Sequence, residues 1–265
     1  MLNLFVYLLV ILLIIIGFVI YFCVSKFTNT ETVSKNKTYD LDYFPEDGFY
    51  FEIDNALTDE ECDSLIESSK DKLVKSEVMS VDKNGNALNK LDTYSRTSNQ
   101  CWQPKHKFKI ITQKIEHLVN SFIKNKISSK QFEDIQVARY KPGQEYKYHY
   151  DICDPDYAVP EHLASCKADF KKYNSVRYAT VIIYLNDGFN GGETRFTKLN
   201  KNIKPKKGKA LLFFNCNLNK NTPKTGKCNM INYSEHAGLP VENPTKPNQP
   251  NEKWIANIWI RTRNT

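Results

Sequence analysis

The chain has 265 residues, enough for one large domain or two small ones with a real core. Apolar residues make up 41% and charged residues 25%, which excludes a disordered chain, a collagen, a coiled coil and a polytopic membrane protein. Lysine and arginine exceed aspartate and glutamate by 37 to 30, a net +7 that selects no partner on its own.

Residues 2–24 carry no charge, and a bilayer core needs about 20 apolar residues as helix. No Lys or Arg precedes the stretch, and Tyr21-Phe22-Cys23-Val24 offers no small-residue cleavage pattern. The expectation is therefore a retained transmembrane anchor (1–24, a signal-anchor) rather than a cleaved signal peptide. Lys26, Lys35 and Lys37 follow it, which by the positive-inside rule favours a cytoplasmic C-terminal domain. Residues 25–45 are polar, lack periodicity and read as a stalk.

Phe49, Phe51 and Ile53 alternate as a short strand. Thr58-Asp59-Glu60-Glu61 is a capping box that starts a helix. Residues 80–103 read as loop. Phe108, Ile111, Ile115, Leu118 and Phe122 then recur at helical spacing and predict an amphipathic helix over about 105–125, with His106 and His117 on its surface. From 132 the period becomes two. The predicted strands are Ile135–Tyr140, Tyr146–Asp151, Arg177–Asn186, Lys209–Asn215, Ser234–Val241 and Lys253–Arg261. Helices followed by strands imply an α+β domain whose sheet closes into a sandwich or barrel.

Within Tyr146–Asp151, side chains two apart share a face, so His149, Asp151 and Lys147 project together and the three tyrosines face away. An imidazole and a carboxylate side by side are a metal-binding start or a structural ion pair. A third ligand could come from His162, in a charged insert, or from His236, opening an apolar strand. Two histidines and one carboxylate form the facial triad of non-haem Fe(II) oxygenases, which leaves positions open for co-substrate and oxygen.

In order, His149-x-Asp151, Gly191-Gly192-Glu193-Thr194-x-Phe196, Lys204-Pro205-Lys206-Lys207-Gly208-x-Ala210-Leu211-Leu212-Phe213, and His236-Ala237-Gly238-x-Pro240-Val241 followed by Lys253-Trp254 resemble the prolyl 4-hydroxylases. The Leu57-Thr58-x-Glu60-Glu61-Cys62 helix start and Arg96-Thr97-Ser98 extend the resemblance over about 47–262. It implies a double-stranded β-helix (jelly-roll) core with N-terminal supporting helices: 46–130 as the helical part and 131–265 as the Fe(II)/2-oxoglutarate dioxygenase core. It implies Fe(II) bound by His149, Asp151 and His236, and 2-oxoglutarate held by Tyr140, Thr194 and Lys253. Arg177 and Trp259 would meet the substrate. Fe(II), 2-oxoglutarate and O₂ would hydroxylate a peptidyl proline and release succinate and CO₂, with ascorbate restoring oxidised iron. The resemblance also suggests a luminal catalytic domain in the endoplasmic reticulum or secretory pathway, against the weak lysine bias. The partners expected are a proline-containing peptide or protein and, through the anchor, a membrane; no nucleic acid is expected. The alternatives are a dioxygenase acting on another residue or on nucleic acid, and a catalytically silent peptide-binding module.

Two segments depart from the family pattern: the charged insert 152–173, and ENPTKPNQPNE between Val241 and Lys253. Family spacing alone selects Lys246 as the 2-oxoglutarate lysine. Lys246, however, lies between Pro244 and Pro247, which disfavour a central strand. Lys253 opens a run in which Lys253, Ile255, Asn257 and Trp259 share one face, so Lys253 is the expected partner. Cys153/Cys166 and Cys216/Cys228 flank loops and are candidate disulfides, although six cysteines beyond Cys23 leave other pairings open. The basic run Lys204–Lys209 reads as a solvated edge.

Overall fold

A computed structural model of the chain describes residues 48–84, 87–91, 94–123 and 126–264, all within one contact unit, Thr38–Thr265. Two antiparallel sheets supply the strands that matter for the site. In chain order these are β1 (Tyr50–Ile53), β2 (Val74–Lys75), β3 (Asn99–Gln103), β4 (Ile135–Tyr140), β5 (Tyr146–His149) and β6 (Arg177–Tyr184). They continue as β7 (Thr194–Phe196), β8 (Lys201–Ile203), β9 (Ala210–Phe214), β10 (His236–Gly238) and β11 (Lys253–Arg261). The larger sheet runs β1-β9-β6-β11-β4-β3-β2, and the smaller β8-β7-β10-β5. β11 is buried along its whole length because it lies between β6 and β4 and is covered on both faces.

One face of the larger sheet carries the helices α1 (Asp59–Ser69) and α2 (Lys109–Phe122). The Thr58 hydroxyl accepts the Glu61 N–H and the Glu61 carboxylate accepts the Thr58 N–H. This reciprocal cap is worth about 1 kcal/mol. Phe122 of α2 packs on Phe51 of β1 with ring centroids 4.4 Å apart. On the opposite face the smaller sheet closes down: Phe196 of β7 lies 5.4 Å from Phe213 of β9, and the His236 ring lies 4.7 Å from Phe213. The site therefore sits between the sheets, walled by aromatic packing. This mixed architecture with an antiparallel core is consistent with the expected jelly roll.

Residues 80–103 are not the loop their composition suggests. Glu77–Val81 and Ala87–Leu91 form a hairpin, and Asn99–Gln103 is β3. The buried residues of β3 are Gln100, Cys101 and Gln103, and both amides have internal partners. Gln103 Nε2 donates to the Ser68 carbonyl at 2.8 Å, and Gln100 Oε1 accepts from Gln136 Nε2 at 2.9 Å. Buried amides leave no apolar alternation to read. The insert likewise holds a helix, α3 (Pro160–Tyr173), with proline in its first turn and Asn174 at φ 49° ending it. Cys153–Cys166 and Cys216–Cys228 are disulfides, as their flanking positions suggested. The basic run is neutralised by acids: Lys206 pairs with Asp54, Lys207 with Asp63 and Lys209 with Glu52.

The expectation of a single-pass membrane protein in the secretory pathway is corrected. Among the described residues no helix is long and apolar enough to cross a membrane, so the membrane-partner, signal-anchor and luminal assignments gain no support. The apolar stretch 2–24 and the stalk segment 25–45 lie outside the described residues.

Candidate active site

His149 ends β5, His236 opens β10, and the two are direct partners in the antiparallel register. Asp151 lies just beyond the end of β5, so the predicted strand is two residues too long; the chain nevertheless returns its carboxylate to both rings. His149 Nε2 is 3.6 Å from Asp151 Oδ1 and His236 Nε2 is 3.8 Å from Oδ2. One ligand atom from each of the three lies within 4.8 Å of the others.

The tautomers suit a metal. His149 Nδ1 lies 2.7 Å from the Lys147 carbonyl and His236 Nδ1 lies 2.9 Å from the Ser234 carbonyl. A carbonyl can only accept, so each Nδ1 carries the proton and each Nε2 turns a lone pair toward Asp151. Burial holds the His236 pKa down at about 4, helped by the neighbouring His149, which keeps the ring neutral. At Asp151 burial works to raise the pKa, but the interactions it gains with His236 and His149 whenever those rings are protonated, together with the charge of Arg177, outweigh it and lower the pKa. A neutral–neutral–anionic donor set facing inward fits a divalent ion of Fe(II) type.

β5 and β10 are out of step beside the site. His236 pairs with His149 and Gly238 with Tyr146, so β5 spends one residue more than β10 over the same span. This bulge reverses the alternation. Tyr146 consequently stacks on His149 with centroids 3.6 Å apart, against the expectation that all three tyrosines face away. Tyr148 does face solvent, 54% exposed.

The same cavity is lined by Tyr140, Thr194, Lys253, Asn257 and Trp259. Lys253 stands opposite Tyr140 in the β4–β11 pair and is 2% exposed. Its ammonium donates to the Gly192 carbonyl at 2.6 Å, and burial lowers its pKa to about 8. That carbonyl is presented by a turn only glycine makes comfortably: Gly192 has φ +72°, and a Cβ there would meet Phe189 at 2.9 Å and the Lys253 chain at 3.1 Å. Thr194 accepts from Tyr184 Oη at 2.8 Å. Lys246 sits in the exposed loop.

Arg177 is placed differently from expectation. Its guanidinium makes two 2.8 Å bonds to Glu133 and lies 3.7 Å from the Trp259 ring, behind the cavity wall rather than in it. Trp259 does line the cavity, and its indole N–H has no partner. His162 is exposed on α3, away from this centre. Sequence reasoning missed Tyr146, Tyr184 and Thr180. The last two alternate with Ile182 on β6, a signal that was available; Tyr146 was hidden by the bulge.

Residues 135–261 match the model of the 2OG-Fe(II) oxygenase superfamily. A protein of Acanthamoeba polyphaga mimivirus named as a prolyl 4-hydroxylase is 33% identical over 91% of this chain and 88% of its own. The chain belongs to the prolyl 4-hydroxylase family of 2OG-Fe(II) oxygenases. Prolyl 4-hydroxylase 2 of Arabidopsis thaliana is 30% identical over 79% of this chain and 66% of its own. Among solved structures, the viral collagen prolyl hydroxylase of Paramecium bursaria Chlorella virus-1, in complex with 2-oxoglutarate, matches with a TM-score of 0.55 and 34% identity. That match covers 82% of this chain and 97% of the viral one. Membership of the family brings Fe(II), 2-oxoglutarate and O₂ as its cofactors, and the His-Asp-His cluster is the donor set such chemistry requires.

Proposed function

We propose that the protein hydroxylates proline in a peptide or protein chain, with residues 131–265 forming a double-stranded β-helix core and 46–130 supporting it. The observation that carries this reading is one cavity holding both a convergent His149-Asp151-His236 triad and a buried, carboxylate-free Lys253. The chemistry that Fe(II), 2-oxoglutarate and O₂ supply is oxidative decarboxylation to succinate and CO₂ coupled to hydroxylation at proline C4.

The protein residues bind, orient and exclude water. His149, Asp151 and His236 would hold the metal. Lys253 pairs with the distal carboxylate of 2-oxoglutarate; a charge-assisted bond in a dry pocket is strong because water does not compete. Tyr140 and Thr194 donate hydroxyls beside it. Tyr146 walls His149 from solvent. Trp259, steadied by Arg177 and Glu133, offers its free N–H and its ring face to the substrate chain. Ascorbate would serve as the reductant that keeps the metal ferrous.

The test is mass spectrometry of proline-rich peptides, collagen-like ones included, incubated with the protein, Fe(II) and 2-oxoglutarate. Addition of one oxygen at proline supports the reading. Succinate release without peptide modification would assign the oxygenation to another substrate.

A further inference from the structure

Asp151 has a neighbour that metal binding alone does not require. Thr180, 1% exposed on β6, donates its hydroxyl to Asp151 Oδ2 at 2.7 Å. The Thr180 hydroxyl oxygen in turn accepts from Asn215 Nδ2 at 3.0 Å. Asn215 is fully buried at the end of β9 and is pinned through its backbone: its N–H donates to the Tyr178 carbonyl at 2.8 Å, and its carbonyl accepts the Ile231 N–H at 2.9 Å. The next residue, Cys216, is tied to Cys228.

The direction of this relay is fixed by chemistry. A carboxylate only accepts, an amide nitrogen only donates, and a hydroxyl has one proton. The bonds must therefore run from Asn215 to Thr180 to Asp151. Turning the Asn215 amide over would aim two acceptors at one hydroxyl proton. The fold keeps the productive orientation although it leaves Asn215 Oδ1 buried without a partner.

The two carboxylate oxygens are otherwise nearly equivalent, at 3.6 Å and 3.8 Å from the two imidazoles. Nothing in the triad itself chooses between them. An unrestrained carboxylate can bind a metal through both oxygens and so take up a position that the co-substrate or O₂ needs. We propose that Thr180 and Asn215 are positioning residues: they occupy Oδ2 of Asp151 and present Oδ1 alone to the metal, keeping the remaining positions open.

This inference rests on the metal-binding reading above, and its test separates the two. Metal-free wild-type protein, Thr180→Val, Thr180→Ser and Asn215→Ala are titrated with Co(II), read by calorimetry and by the visible absorption of the bound ion. Valine keeps the shape of threonine without its hydroxyl. Thr180→Val is expected to lose about 10–100-fold in Co(II) affinity, as for other groups that orient a metal ligand, with an altered absorption band. Thr180→Ser restores both, and Asn215→Ala shifts both in the direction of valine. Wild-type affinity and spectrum in Thr180→Val would overturn the proposal. If Thr180→Val does not fold, the same wild-type result in Asn215→Ala overturns it. A wild-type protein that takes up no Co(II) would instead fail the metal site itself, and this pair with it.

Discussion

Lys253 faces Tyr140 across two adjacent buried strands, with its ammonium 5.3 Å from the tyrosine ring and bonded to a backbone carbonyl rather than to an acid. A buried cation so placed is costly until an anion arrives, and that cost makes the site selective for a carboxylate ligand.

The first prediction concerns pH. Burial lowers the Lys253 pKa from 10.5 to about 8. Binding an anion favours the charged form, so 2-oxoglutarate affinity should fall as pH rises above about 8, by about tenfold per unit at the steepest. In the ligand-free protein the sign is opposite. The unfolded lysine holds its proton up to 10.5 and the folded one releases it near 8. Stability should therefore rise with pH between those values, by on the order of 3 kcal/mol. Calorimetric titration and denaturant melts, each repeated on Lys253→Met, isolate the effect; a pH dependence unchanged in that variant refutes it.

Lys253→Ala should raise the 2-oxoglutarate KM by orders of magnitude, since removing one partner of a buried charge pair costs about 3–5 kcal/mol. Lys246→Ala should leave it unchanged. Steady-state kinetics on the two variants decide the strand register; the reverse ranking would place the proline loop in the site.

Arg261 is fully buried and bonds Asp169 of α3 through two nitrogens, at 3.0 Å and 3.1 Å, while also holding Glu133 at 2.7 Å. Asp169→Ala leaves the buried Arg261 with only Glu133, which Arg177 also uses, and should cost about 3–5 kcal/mol in unfolding free energy. Denaturant melts measure it. A loss below about 1 kcal/mol would mean α3 is not anchored to β11 through this pair.

Each disulfide closes a short loop, of separation 13 for Cys153–Cys166 and 12 for Cys216–Cys228. Replacing either pair with serine should lower stability by about 2–4 kcal/mol. The Cys216/Cys228 pair lies beside Asn215, so its loss should also weaken Co(II) binding. Unchanged melting midpoints in both double variants would contradict the bonding seen here.

Why some of this was legible in sequence and some was not follows from individual residues. β4 and β11 were readable to the residue because each is a mostly apolar run bounded by turn residues. The choice of Lys253 over Lys246 followed from proline chemistry. β3 escaped because two of its three buried residues are glutamines, whose partners, Ser68 and Gln136, are distant in sequence. Tyr146 was assigned to the wrong face because one bulge reverses a parity that sequence carries only locally. Arg177 was recognised as important, but its bonds to Glu133 depend on a tertiary approach that no spacing encodes.

The central claim is that His149, Asp151 and His236 form the reacting centre. It is tested most directly by measuring succinate and hydroxyproline formed from 2-oxoglutarate and a proline-rich peptide, for wild type and His149→Ala. Wild type should form the two products in equal amounts. His149→Ala should form neither, while its metal-free form keeps the wild-type circular dichroism spectrum. Undiminished succinate from the variant would contradict the account.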